Sequence, residues 1–170
     1  MAVAAFVEQQ GLKWKKSVAF RGKIAEDQGD AYMLPETYMN ESGEAVGLVR
    51  RYYKIALTDI LVVVDDIAIP FGVLRLRQQG SSGGHNGLKS VEEHLGSDHY
   101  SRLRIGVGDR EEGDLASFVL APFSDTEKVL LPDVLAKAKG AIGEWLKSGV
   151  IRAMDVVNRA STKPEQEEPS

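Results

Sequence analysis

The chain has 170 residues, a net charge of −4 and an apolar fraction of 43%, values typical of one globular domain with a sizeable core. It contains no cysteine, which excludes disulfides and thiolate metal sites. Its apolar runs, such as Met1–Val7 and Ile60–Val64, are too short to span a membrane, and no signal sequence is recognisable, so we expect a cytoplasmic protein without a membrane partner.

The first part of the chain predicts a helix followed by a β-hairpin. Met1–Gln10 places apolar residues on adjoining helical turns, and Gly11 would end that helix. Ser17–Lys23 and Asp30–Leu34 are typical of two short strands, with turn residues between them.

The segment Gly11–Lys23 is strongly basic, although the whole chain is acidic. It holds no acid and five cationic residues, namely Lys13, Lys15, Lys16, Arg21 and Lys23. An acidic protein with such a local basic surface can still bind nucleic acid. Trp14, which lies among these lysines, could stack on bases or belong to the core.

A second helix and a buried strand are predicted next. Asn40 is a candidate N-cap, and apolar residues recur behind it at helical spacing, at Ala45, Val46, Val49, Tyr52 and Tyr53. Ile60–Val64 is a continuous apolar run, typical of a strand buried on both faces. Asp65 and Asp66 follow it directly.

Two later strands alternate apolar residues with arginines. In Val73–Arg77 and Ser101–Val107, the apolar side chains are expected on one face and the arginines on the other, the arginines being Arg75, Arg77, Arg102 and Arg104. These four guanidinium groups could pair with phosphates or form a solvated face. Between the two strands, Gly87–Leu95 predicts a helix with Lys89 near its start.

The C-terminal part predicts two helices and a tail. Ser124 and Glu127 form a capping-box pattern before a helix with a broad apolar stripe, Leu130, Leu131, Val134, Leu135, Ala138, Ile142 and Trp145. A last helix is expected at Val150–Asn158. The acidic tail 161–170 is expected to be disordered, which leaves residues 1–160 as the domain.

Three features could carry chemistry, and each has a plainer interpretation. Asp65 and Asp66 follow a strand, where ligand sites of α/β sheets lie, or they form a polar turn. Gly80–Gly84 could cradle a phosphate before a helix or simply connect two elements. The spacing of the three histidines, His85, His94 and His99, matches no common metal site, so no metal is expected.

The chain has no cysteine that could act as a nucleophile. The polar residues that could take part in catalysis are Asn40, Asp65, His85 and Asn86. This set favours water activated by an acid–base group. A different class of function, in which Asp65 and Asp66 bind Mg²⁺ with a nucleotide, would leave the asparagines and arginines unexplained.

Several blocks together resemble bacterial-type peptidyl-tRNA hydrolases. They are LPETYMNESG at 34–43, ILVVVDDIAIPFG at 60–72, LRLRQQGSSGGHNGL at 74–88, RLRIGVG at 102–108 and EWLKSGVIRAMDVVN at 144–158. The resemblance implies an α/β fold, with a mixed twisted sheet flanked by helices in a single domain. It also implies hydrolysis of the ester between peptide and tRNA, which recycles prematurely released peptidyl-tRNA, by a monomer without a cofactor.

The resemblance also assigns roles to individual residues. Asp65 corresponds to the carboxylate that orients the catalytic histidine. The resemblance implies that the other positions contact the peptidyl-tRNA, namely Tyr38, Asn40, His85, Asn86, Arg75, Arg77, Lys89 and Arg104. Among them, the asparagines are implied to lie at the peptide and the 3′-terminal nucleotide, and the arginines and the lysine at the tRNA backbone.

The family's opening segment has no counterpart in this sequence. The family begins with an internal strand, a Gly-Asn-Pro-Gly turn and a Thr-Arg-His-Asn segment that carries the general base. We therefore expect exposed strand edges and an Asp65 without the histidine that it would orient. His85 is the nearest substitute for the base, and a catalytically inactive tRNA-binding protein of the same fold is the alternative function.

Overall fold

The computed structural model describes residues 1–108 and 122–162. In chain order its helices are α1 (Ala2–Gln9), α2 (Ser42–Tyr53), α3 (Asn86–Leu95), α4 (Asp125–Ser148) and α5 (Val150–Thr162), and two single 3-10 turns lie at Met39–Glu41 and Leu57–Asp59. Its strands are β1 (Lys15–Ser17), β2 (Gly22–Asp27), β3 (Asp30–Pro35), β4 (Leu61–Pro70), β5 (Leu74–Arg77) and β6 (Ser101–Gly108).

The strands form two sheets. The first is antiparallel, in the order β1-β2-β3, and its hairpin register pairs Ile24 with Met33 and Asp27 with Asp30. The hairpin turn places Gln28 and Gly29 at positive φ, the conformation that a two-residue turn of type I′ requires. The second sheet has the order β4-β6-β5. The expected mixed α/β fold is confirmed.

The chain divides into two compact units, Met1–Val64 with Arg77–Leu103, and Asp65–Leu76 with Arg104–Ser170. One core cluster of the first unit is formed by a face of α3 together with Tyr100. Leu88, Val91, Leu95 and Tyr100 are buried, and partly buried side chains pack on them: Val46, Leu57, Ile60, Val62 and Val64. Burial of this apolar stripe stabilises α3, since a ten-residue helix is marginal on its own.

A hydrogen bond also ties α2 to the first sheet. The Tyr53 hydroxyl donates to Glu26 Oε1 at 2.6 Å. This bond to a carboxylate, together with burial and the charge of Glu26, raises the pKa of Tyr53 to about 12. One carboxylate oxygen of Glu26 is therefore engaged by a hydrogen bond inside the first unit.

Close backbone approach in the second unit explains the two glycines of the sequence RIGVG. A β-carbon on Gly106 would collide with the carbonyl oxygen of Pro70, and one on Gly108 with that of Ile67. Only glycine therefore lets β6 lie this close to β4. The buried apolar residues of this unit include Ile69, Leu74, Leu76, Val134 and Ile142.

Side chains of α5 form hydrogen bonds with backbone groups of β5. Asn158 Oδ1 accepts from the Leu76 N–H at 2.9 Å, and Asn158 Nδ2 donates to the Leu76 carbonyl at 3.0 Å. The Leu74 N–H donates to Ser161 Oγ at 3.3 Å. One amide thus pairs with a strand residue as a neighbouring strand would, which fixes α5 to β5.

Several expected boundaries differ from the structure. The first hairpin strand is β2, not Ser17–Lys23, because residues 18–21 form the turn after β1. Asp65 and Asp66 lie inside β4, since the strand continues to Pro70. Helix α5 runs to Thr162, two residues past the expected end of the domain, and the rest of the predicted tail lies outside the described residues.

The capping box and the apolar stripe predicted for α4 have different outcomes in the structure. The capping box is confirmed, because Ser124 Oγ accepts from the Glu127 N–H at 3.2 Å and the Ser124 N–H donates to Glu127 Oε2 at 2.7 Å. The predicted apolar stripe of α4 is buried at Val134 but not at Leu130, which is 45% exposed.

Replacing Asn158 by leucine should destabilise the second unit. The substitution removes the partner that α5 supplies to both polar groups of Leu76, and we expect the free energy of unfolding to fall by about 2 kcal/mol. Urea unfolding of Asn158→Leu and Ser161→Ala measures this, with the smaller loss expected for Ser161→Ala because its single bond is longer. Equal losses would contradict the strand-like role of Asn158.

Candidate functional site

Tyr38 and Asn40 lie on a short turn between β3 and α2 in the first unit. Met39–Glu41 forms a single 3-10 turn, and the Ser42 hydroxyl donates to the Met39 carbonyl at 2.9 Å. The predicted N-cap role of Asn40 is wrong, because α2 begins two residues later and Glu41 occupies its cap position. Tyr38 is 80% exposed and Asn40 is also exposed, so both side chains are open to a ligand.

Arg21 braces this turn from the loop between β1 and β2. Its guanidinium forms ion pairs with Glu44 in α2 and, at 3.5 Å, with Glu41. Its φ is +53°, which is uncommon for a residue with a side chain. Because Glu41 follows Asn40 directly, these ion pairs hold the segment that carries Asn40 against the first sheet.

His85 caps the N-terminus of α3. The ring Nδ1 of His85 accepts a hydrogen bond from the Leu88 backbone N–H at 3.2 Å. The backbone N–H of His85 donates to the Ser82 carbonyl at 3.1 Å. A neutral imidazole that accepts at Nδ1 carries its proton on Nε2. While His85 caps the helix, neither ring nitrogen has a free lone pair for a general base.

Close packing brings the turn of Asn40 to the start of α3, where Asn86 lies. An ideal β-carbon on Gly87 would be 2.7 Å from Met39 Sδ, so the Met39 side chain packs closely on the start of α3. The Gly43 N–H donates to Ser90 Oγ at 3.0 Å. The two exposed asparagines therefore lie on adjoining turns of one unit, and this is the candidate site.

Arg102 fixes the glycine-rich loop in front of α3. Its side chain is 1% exposed, and its guanidinium donates to the carbonyls of Gly80, Ser81, Asp98 and Tyr100. It also pairs with Glu92 at 3.3 Å and lies 4.2 Å from the Tyr100 ring centre.

The expectation that Arg102 and Arg104 form an outward face is therefore wrong for Arg102. Loop carbonyls and a carboxylate bond the two terminal nitrogens of this guanidinium, and an aromatic face lies over it, so most of the cost of its burial is offset, although Nε has no hydrogen-bond partner among the described residues. Because Gly80, Gly83 and Gly84 all have positive φ, the loop has little stiffness of its own. Arg102 supplies that stiffness and so positions His85 and Asn86.

Two predicted phosphate-binding residues of the first unit are exposed. Lys89 lies in the first turn of α3, and Arg77 ends β5, where exposed arginines alternate with buried leucines as expected. The same alternation leaves Arg75 exposed in the second unit.

The second unit separates the two neighbouring aspartates. Asp65 is exposed, whereas Asp66 is buried and accepts from Arg104 at 3.0 Å and from the Ala68 N–H at 2.9 Å. Successive strand residues point to opposite faces, so only Asp65 presents a solvent-accessible carboxylate. Arg104 is paired and only 18% exposed, unlike the open cation that its predicted role in backbone binding assumes.

Sequence reasoning missed the residues that support this site. Arg102 looked like one more arginine of an alternating strand, and Met39 and Ser90 carried no signal. In the sequence HNG at residues 85–87, the glycine after the asparagine was the one hint that another part of the chain packs closely on the start of α3.

Within residues 1–108 and 122–162, no group of three or more histidine, cysteine or acidic side chains could hold a metal ion. None of the helices in this part of the chain combines the length and hydropathy that a membrane crossing requires.

Comparison with known proteins gives one consistent family. The family model described as peptidyl-tRNA hydrolase matches residues 1–166. A peptidyl-tRNA hydrolase of Cytophaga hutchinsonii is 54% identical over 125 residues, which cover 73% of this chain and 66% of the relative. One of Roseiflexus castenholzii is 45% identical over 157 residues, covering 91% of this chain and 72% of the relative.

Solved structures agree with the sequence relatives. The crystal structure of peptidyl-tRNA hydrolase from Acinetobacter baumannii has a TM-score of 0.84 and 29% identity, covering 92% of this chain and 82% of that chain. The chain thus spans about two thirds of the Cytophaga relative and more of the others.

The fold and the sequence relatives both define an esterase-type hydrolase of the translation apparatus. The chain belongs to the peptidyl-tRNA hydrolase family. The predicted family, fold class and enzyme class are confirmed.

Removing the Arg102 guanidinium should loosen the site. Arg102→Met leaves the loop carbonyls and Glu92 without their buried partner, and we expect a loss of about 3 kcal/mol in the free energy of unfolding, with faster hydrogen exchange at residues 80–88. Arg102→Lys should lose less, since it keeps the charge. The control Arg152→Met, at an exposed arginine, should change stability by less than about 0.5 kcal/mol. Similar values for both methionine variants would refute the role of Arg102.

Proposed function

We propose that this protein hydrolyses the ester between the peptide and the tRNA in peptidyl-tRNA, releasing tRNA for reuse. The observation that carries this proposal is the packing of Met39 on Gly87, which places Asn40 and Asn86 on adjoining turns in a chain of this family. We further propose that it works as a cytoplasmic monomer.

The first unit offers the groups that the end of a peptidyl-tRNA needs. Each asparagine amide presents two donors and an acceptor, which suits peptide groups and the polar edge of the terminal nucleotide. The exposed ring of Tyr38 offers a face on which a base or side chain can stack. Exposed Arg77 and Lys89 of this unit, and exposed Arg75 of the second unit, carry charges that suit the tRNA backbone phosphates.

The chemical step needs a base that takes a proton from water while water attacks the ester carbonyl. The products are a peptide carboxylate and the free terminal hydroxyl of the tRNA. By the family resemblance, Asp65 would accept a hydrogen bond from the catalytic histidine, holding its tautomer and favouring its charged form. The exposure of Asp65, beside the occupied Asp66, supports this role.

One observation favours the second candidate, a tRNA-binding protein without activity. His85 cannot serve as the base while its Nδ1 accepts the Leu88 N–H. If no other histidine supplies the base, the chain would bind tRNA and leave the ester intact.

Ester hydrolysis by this chain, and by the same chain preceded by the family's opening segment, tests the proposal. We expect the extended chain to cleave peptidyl-tRNA, and Asp65→Asn in it to lower kcat by about 10²-fold with little change in KM. Asp133→Asn, at an exposed aspartate of α4, is the matched control and should have no effect. If both chains bind tRNA and neither cleaves it, the inactive-binder function stands instead.

Variants of His85 test its assignment as a helix cap. His85→Ser restores a capping oxygen, whereas His85→Ala should cost about 1 kcal/mol of stability. We expect hydrolysis by the serine variant of the extended chain to stay within about threefold of the parent, because the ring provides no base. A loss of about 10²-fold in kcat with unchanged stability would instead identify His85 as the general base.

A further inference from the structure

The lysines of the basic segment at residues 11–23 have no role in the proposed site, and the cations of this segment are unequally neutralised. Arg21 pairs with Glu41 and Glu44, and Lys23 lies 3.7 Å from Glu36. By contrast, three lysines, namely Lys13, Lys15 and Lys16, are exposed and form no ion pair with any residue in the described ranges.

The strand register concentrates this charge at a sheet edge. Strand β1 is the outer strand of the first sheet, and Lys16 lies directly opposite Lys23. Like charges in such a cross-strand pair repel. Lys15 lies opposite Ile24, on the other face of the sheet. Positive charge is therefore present on both faces of one edge and would be stabilised by a bound polyanion.

Apolar and aromatic groups accompany these lysines. Trp14 is half-buried between Lys13 and Lys15, and Val18 is 84% exposed in the turn after β1. In the same turn, Phe20 packs edge-on against Tyr52, with 5.2 Å between ring centres, and Tyr52 is 69% exposed. Lysines beside partly exposed rings suit a chain of phosphates and bases.

We propose that the β1 edge, made of Lys13, Trp14, Lys15, Lys16 and Val18, binds backbone phosphates of the tRNA body, away from the ester-bearing end. The choice of tRNA as the RNA rests on the proposed function. A lysine ammonium is a compact, hydrated point charge, suited to sequence-independent phosphate contact. Because the whole chain has a net charge of −4, the attraction is local to this edge and does not belong to the protein's overall field.

The test is the salt dependence of deacylated tRNA binding, which needs no ester cleavage. Each duplex phosphate that a protein neutralises adds about 0.9 to the slope of log K against log salt. The triple variant K13Q/K15Q/K16Q should therefore reduce the magnitude of that slope by about 2 to 3. A hairpin RNA containing only the acceptor stem should lose much less affinity than whole tRNA, because it lacks the tRNA body.

A charge-matched control separates this site from a general effect of net charge. K137Q/K139Q/K147Q, on α4, removes the same charge from other lysines and should leave the slope nearly unchanged. Equal slope changes in both triple variants, or equal losses for whole tRNA and the short hairpin, would overturn the proposal.

Edge lysines also discourage strands of two molecules from pairing. If K13Q/K15Q/K16Q dimerises on size exclusion and binds tRNA with an unchanged slope, the lysines protect the edge and the proposal fails. If tRNA binding responds as expected but no form of the protein cleaves peptidyl-tRNA, the surface stands and the proposed hydrolysis fails.

Discussion

The buried guanidinium of Arg102 is the interaction on which the candidate site depends. It gathers carbonyls from the glycine-rich loop and from the segment after α3, with Glu92 as its counter-charge. A loop with three glycines at positive φ has many accessible conformations, so a single one requires strong external partners. The position of Asn86 follows from that loop, because His85 links the loop to the first turn of α3.

Close contact between α2 and α3 sets the second half of the site. Glycine at position 43 lets α2 begin against Ser90, and glycine at position 87 lets Met39 pack on the start of α3. The contact at position 43 is with backbone and excludes any larger residue, whereas the contact at position 87 is with the flexible Met39 side chain. The asparagines are therefore aligned by backbone approach, while their own side chains remain exposed for a ligand.

Ion pairing decides which cations of this acidic protein are available for RNA. Arg102 and Arg104 are engaged by Glu92 and Asp66, and Arg21 braces the turn of Asn40. Exposed Lys89 and the lysines of β1 keep their charge facing solvent. Counting arginines and lysines along the chain thus overestimates the number of cations open to phosphates, both in β6 and in the basic segment, where Arg21 and Lys23 are paired.

The sequence alone determined the family, the mixed α/β class, the α3 helix and the alternation of β5, because these depend on local periodicity and on motifs read in order. Tertiary structure decided that Asp66 is paired while Asp65 is open, that Arg102 is buried, and that His85 is a cap. The first two depend on groups distant in sequence, Arg104 for Asp66 and Gly80 for Arg102, whereas the cap depends on the conformation that the loop gives His85 next to Leu88. Alternation along a strand predicts on which face a side chain lies, but only the packed fold shows what covers that face.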